Sequence, residues 1–101
     1  MKAQRERARQ EVLNVNTDRS DGTIDREKYE AMKSALLEVI PEGEEGVPFG
    51  ELAERVKPLL PEAVFEGASI GWYTTTVKLD LEARGLIERV PNASPQRLRR
   101  R

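Results

Sequence analysis

The residues of this chain best suited to surface chemistry are arginines gathered near its C-terminus. Arg89, Arg97, Arg99, Arg100 and Arg101, with Asn92 and Ser94 in the turn between them, carry donors that match phosphate oxygens without reading sequence. Just upstream, in "GWYTTTVKLDLEARGLIERV", Thr75, Thr76 and Lys78 offer hydrogen-bond donors to a nucleic-acid groove, whereas Trp72 and Leu79 offer apolar area to another protein. Other chemistry is excluded or unsupported. The chain has no cysteine and no histidine, which removes disulfides, thiolate and imidazole metal sites, histidine-activated nucleophiles and a histidine pH switch. It contains no glycine-rich phosphate loop, no HExxH and no nucleophile elbow. Its carboxylates are spread along helices beside Lys or Arg at helical spacing, the pattern of a solvated surface. The expectation is a protein that is not an enzyme, with no catalytic residues, no metal and no cofactor.

A length of 101 residues supports one small domain with a modest core. With 38% hydrophobic and 35% charged residues, the chain is too apolar for disorder throughout and rich in charge for a globular fold. Salt-bridged helical faces are the expected outcome. Net charge is −1, unevenly placed: residues 41–70 hold seven acidic and two basic groups, and residues 71–101 hold seven basic and three acidic. The N-terminal stretch has no apolar signal region and no run approaches a membrane span, so a soluble cytoplasmic protein without membrane contact is expected.

Residues 1–11 lack an apolar stripe and are expected to be without stable structure. Val12, Leu13 and Val15 then suggest an ordered arm with a short strand, turning at Asp21-Gly22. The division expected is an extension and arm over 1–24 and a domain over 25–101. Asp25 is a suitable N-cap for a first helix with Tyr29, Met32, Leu36, Val39 and Ile40 on one stripe, ending before Pro41. A polar loop and an extended "VPF" lead to a second helix burying Leu52 and Val56, which Pro58 stops near Lys57. "PEAVFEGAS" is expected to be an irregular connector with Val64 and Phe65 plugging the core. A third helix over 71–84 is stopped by Gly85, and "LIERV" and "QRLRR" flank "PNASP" as a hairpin. The fold class is α+β, mainly α with a small β-hairpin, in the order helix, strand, helix, helix, strand, strand of a winged helix-turn-helix.

The third helix has two distinct faces. At roughly 100° per residue, Ile70, Tyr73 and Leu81 lie within about 40° of Val77 and form a core stripe, with Thr74 at its edge bonding its own helix backbone. Trp72, Thr75, Thr76, Leu79 and Ala83 lie on the far side. A helix that reads bases would carry Arg, Lys, Asn or Gln there. Its apolar members instead call for cover, by the chain's own arm or by a second copy.

Through "VKLDLEARGLIERV" the sequence resembles winged-helix domains. It resembles more closely a family of small uncharacterised bacterial proteins, a domain of unknown function, in "NVNT", "KYEAMKSALL", "GW" before "VKLDLEARGLIER", and "SPQRLR". That resemblance implies a winged-helix-like fold and carries no catalytic or ligand residues with it. Two functions follow as expectations. One is nucleic-acid binding, with DNA as partner: Arg89, Arg97 and Arg99 on phosphates, and Thr75, Thr76 and Lys78 toward the groove. The other is a protein-interaction module or homodimer anchored by Trp72 and Leu79, which the net acidic segment 41–70 favours because it would repel a phosphate backbone.

Overall fold

The computed structural model of the chain describes residues 8–101. Most of the N-terminal stretch expected to be unstructured, residues 1–7, lies outside the described residues. Arg9, Gln10 and Glu11 do not follow that expectation: they begin a strand, β1 (Arg9–Asn14), which pairs antiparallel with β2 (Arg19–Asp25). A bulge between Glu11 and Leu13 interrupts the register, and Val12 beside it is buried in the core. The turn falls at residues 15–18, where Asp18 adopts φ 59° and its N–H donates to the Asn14 carbonyl at 2.7 Å. Asp21-Gly22, expected to turn, lies inside β2. A turn dipeptide loses here to a nearer Asn/Asp pair that closes the hairpin with its own hydrogen bonds, among them Asn14 Oδ1 accepting from Asn16 N–H at 2.8 Å.

Helix α1 (Arg26–Val39) starts on Asp25, whose carboxylate accepts from the Lys28 N–H at 3.1 Å. Tyr29, Met32 and Leu36 bury their side chains as the periodicity requires, joined by Ala35 and then Ile40. Strand β3 (Val47–Pro48) leads through a 3-10 turn at Phe49–Glu51 into α2 (Leu52–Val56), which closes in a second 3-10 turn at Lys57–Leu59. The stop at Pro58 follows from its missing N–H and its clash with the preceding turn.

The segment expected to be irregular contains a short helix, α3 (Glu62–Phe65). Pro61 begins it, with its carbonyl accepting from Val64 and Phe65, and Phe65 is turned into the core. Helix α4 (Ile70–Ala83) follows, capped by Ser69, whose hydroxyl accepts from the Trp72 N–H at 3.1 Å. It ends in a Schellman closure: Gly85 takes φ 79°, Leu86 N–H donates to the Leu81 carbonyl, and Gly85 N–H donates to Glu82.

Strands β4 (Ile87–Arg89) and β5 (Arg97–Arg100) form the C-terminal hairpin, and β3 joins on the far side of β5 to give the antiparallel order β3-β5-β4. Among the described residues the result is a mixed α+β fold of four α-helices and two small antiparallel sheets. One apolar core serves all of it, drawing Val12 and Ile24 from the N-terminal hairpin, Tyr29, Met32, Ala35 and Leu36 from α1 with Ile40 just after it, Leu52 and Val56 from α2, Val77 and Leu81 from α4, and Ile87 and Leu98 from the C-terminal hairpin.

Candidate interaction surface on helix α4 and the C-terminal hairpin

Helix α4 is anchored by its inner face and presents the outer one. Val77 and Leu81 are fully buried, Ile70 and Tyr73 pack partly against the core, and Thr74 is buried with its hydroxyl donating to the Ile70 carbonyl at 2.7 Å. On the outer face Trp72 is 52% exposed, the largest exposure among the big apolar side chains of the described residues. Thr75 is exposed, and Thr76, Leu79 and Ala83 are half-buried. An aromatic row links surface to core: Trp72 meets Tyr73 edge-on with centroids 4.9 Å apart, and Tyr73 meets the buried Phe65 edge-on at 5.7 Å. The N-terminal hairpin docks against α4 through Leu13, whose N–H donates to Asp80, and reaches Arg89 through Asn16.

Asp80 is a polar hub within the core. Its side chain is fully buried and accepts from the Tyr29 hydroxyl at 2.5 Å, from the Leu13 backbone N–H at 2.9 Å, and from Arg84 Nε at 2.9 Å. Arg84 continues outward, donating to the Glu11 carbonyl at 3.1 Å. One carboxylate thereby fastens α1, β1 and α4 together. Burial works against the Arg84 charge, but the hydrogen bond and charge of Asp80 outweigh it and raise its pKa. Spacing alone makes Asp80 and Arg84 an i,i+4 pair across the last turn and does not by itself bury it. A signal was present: at roughly 100° per residue Asp80 sits about 60° from Val77, within the inward half of the helix.

Lys78, expected to face a groove, is only 3% exposed. Its ammonium lies 2.7 Å from Glu82 and 4.8 Å from the centre of the Phe49 ring, and burial lowers its pKa against the pull of Glu82. Glu82 is shared with Arg89, whose Nε donates to it at 2.5 Å while Nη2 donates to Asn16 at 3.1 Å. The arginines expected on phosphates are all engaged by their own chain. Arg97 donates to the Glu45 carbonyl at 2.6 Å and to that of Gly46 at 3.2 Å; Arg99 donates to Glu88 at 2.6 Å. Arg100 donates to the Ile40 carbonyl at 2.8 Å, and Arg101 lies 3.3 Å from Glu88. The hairpin thus brings these guanidiniums together as struts of the fold.

Of the residues singled out in the sequence, Trp72, Thr75, Thr76 and Leu79 share one face of α4, and Lys78 and Arg89 meet at Glu82 on another side of it. Among the described residues no cluster of acidic side chains could hold a metal ion, and no helix is long and apolar enough to cross a membrane. These side chains stand on a small α+β scaffold. Residues 9–98 match a family of unknown function, DUF6958, and the chain belongs to that family. No curated protein and no solved structure matches it.

Proposed function

We propose that the chain is a winged-helix-type binding module whose α4 face, centred on Trp72 and Leu79, docks against protein. The order α1, β3, α2, α4, β4, β5, with β3 beside β5 in the sheet, supports the winged-helix arrangement. The observation that carries the docking surface is the exposed Trp72, on a face whose other members are Thr75, Thr76, Leu79 and Ala83, next to arginines already held by their own chain. Covering the exposed half of an indole is worth roughly 2–3 kcal/mol. A phosphate contact by Arg89 or Arg99 would instead cost its pairing with Glu82 or Glu88. The role is binding rather than catalysis.

One observation favours a second reading. Arg97 and Arg100 rest on carbonyl oxygens, so their charges are oriented but not neutralised. With Thr75 and Thr76 toward a groove, and Arg89 and Arg99 released from their carboxylates, this end of the molecule would meet a nucleic-acid backbone. Anisotropy titration of labelled duplex DNA at about 50 mM salt separates the two, with no saturable binding expected. Saturable binding whose log affinity falls against log salt with a slope near −3.6, the value for about four phosphates, establishes the nucleic-acid reading and overturns the first.

A further inference from the structure

An open groove is formed by the 3-10 turn at Lys57–Leu59, helix α3 and the first residue of α4, with a volume of about 850 Å³. Its floor is apolar. Leu60 and Phe65 are buried there and Ile70 partly so, and Phe65 is backed by the edge-on contact with Tyr73. Pro58, Pro61 and Ala63 are exposed and carry the apolar lining out to the lip.

The lining narrows the choice of occupant. None of it belongs to a strand, and Pro58 and Pro61 have no N–H, so an extended peptide finds no edge to pair with. A small polar ligand finds no convergent buried donors, because the charged members of the lining, Lys57, Glu62 and Glu66, all stand exposed. An amphipathic helix satisfies its own backbone and brings only side chains. That partner fits the groove.

Charge selects among such helices. Elsewhere in the fold the carboxylates are matched by cations of the same chain, Glu82 by Lys78 and Arg89, Glu88 by Arg99, and Glu51 by Arg55. Glu62 opens α3 and Glu66 follows its last residue one turn on, and among the described residues neither has a cation set against it. The wider segment 41–70 has the same sign, with seven acidic groups and two basic. Lys57 is the one cation in the lining, so the partner's own cations belong on the α3 side.

We propose that this groove is a second docking surface and that its partner is a basic amphipathic helix, its apolar face on Leu60, Phe65 and Ile70 and its Lys or Arg side chains against Glu62 and Glu66. The proposal goes beyond the docking reading of α4 and stands without Trp72.

Fluorescence anisotropy at about 150 mM salt tests it with a labelled peptide of leucine and lysine at amphipathic helical spacing, and with its leucine and glutamate counterpart. The lysine peptide is expected to bind saturably, and the glutamate peptide about tenfold or more weakly. Reversing the lip with Glu62→Lys and Glu66→Lys, folding being checked by circular dichroism, is expected to weaken the lysine peptide about tenfold or more. Reversal of Glu42 and Glu44 in the loop before β3, and Trp72→Ala, are expected to leave its affinity unchanged, and methyl NMR to place its contact at Leu60 and Ile70. Absence of saturable binding, equal affinity for the two peptides, or a loss as large at Glu42 and Glu44 as at the lip overturns the groove. A loss with Trp72→Ala and none with the lip variant also overturns it, and leaves the α4 docking reading standing. Self-association of the wild type that the lip variant abolishes makes a second copy the occupant and overturns the partner proposed. Affinity that rises about tenfold on removal of residues 1–7 does the same in favour of the chain's own N-terminal segment.

Discussion

At the scale of single residues, the fold depends on Asp80. Three donors, the Tyr29 hydroxyl, the Leu13 N–H and an Arg84 Nε–H shared between both oxygens, converge on a carboxylate with no access to water. Removing the acceptor would strand the Tyr29 hydroxyl, the Leu13 N–H and a guanidinium together, so Asp80→Ala is expected to cost about 3–5 kcal/mol, with Asp80→Asn costing less because its amide oxygen keeps part of the set. Urea denaturation measures both, and equal losses would mean that the amide oxygen keeps none of these hydrogen bonds. The same contact gives a pH dependence. Burial first, then the hydrogen bond and negative charge of Asp80, hold the Tyr29 phenol well above its ordinary value of 10. The unfolded chain would ionise there and the folded chain would not, so this stabilisation is complete below pH 10 and is lost as pH rises above it. Lys78 has the opposite sign: its lowered pKa penalises the fold below the shifted value, and the penalty disappears as pH approaches 10.5. Above that only the tyrosine slope remains of the two. The wild type is expected to lose stability relative to Tyr29→Phe at up to about 1.4 kcal/mol per pH unit there, and parallel curves for the two proteins would refute it. Sequence spacing showed that Asp80 and Arg84 pair. It could not show that Tyr29 and Leu13, far away in the chain, complete the shell, because that depends on how α1 and β1 pack.

At the scale of elements, legibility followed pattern length. Helices α1 and α4, each of 14 residues, carry several turns of apolar repeat plus a cap at each N-terminus, and their limits were readable to within a residue or two. Helix α3, with four residues, is too short to show a period, and β3, with two, is defined only by its neighbour. What holds β3 in place is a close approach of backbones. Gly46 adopts φ +66°, and a Cβ there would overlap the Leu98 carbonyl oxygen of β5. Arg97 reaches back over the same point to the carbonyls of Glu45 and Gly46. Gly46→Ala therefore combines a left-handed backbone penalty with a clash against main chain that cannot rotate away, and is expected to destabilise by about 2–4 kcal/mol. Gly43→Ala, at φ +110° with open space around it, is expected to cost less, since it bears only the backbone penalty. Thermal unfolding of both compares the terms, and the reverse order would show that β3 is not pinned to β5. The arginines illustrate the same limit: their number was plain in the sequence, but their use as struts depends on which carbonyls and carboxylates the sheet brings beside them.

At the scale of the whole molecule, the question is whether the N-terminal hairpin is an appendage or part of the folding unit. In the sequence, charge and turn residues thin the apolar pattern before residue 25, which suggests a boundary there. The packing runs across that boundary. Val12 and Ile24 contribute to the same core as α1 and α4, Asp80 binds the β1 backbone, and Arg89 of the C-terminal hairpin reaches Asn16. Chain segments far apart in sequence thus share apolar and polar contacts that none can keep if another departs, which is the condition for an all-or-none transition in a domain of this size. A single unfolding midpoint is expected whether followed by far-ultraviolet circular dichroism, which sees the helices, or by native-state hydrogen exchange at Val12 and Leu13, which sees the hairpin. Under denaturant, the amides of Leu13 and Leu81 are expected to exchange with the same opening free energy and the same denaturant slope. A Leu13 amide that opens well below the global value, with a small slope, would show that the hairpin detaches alone and that the boundary at residue 25 divides the molecule after all.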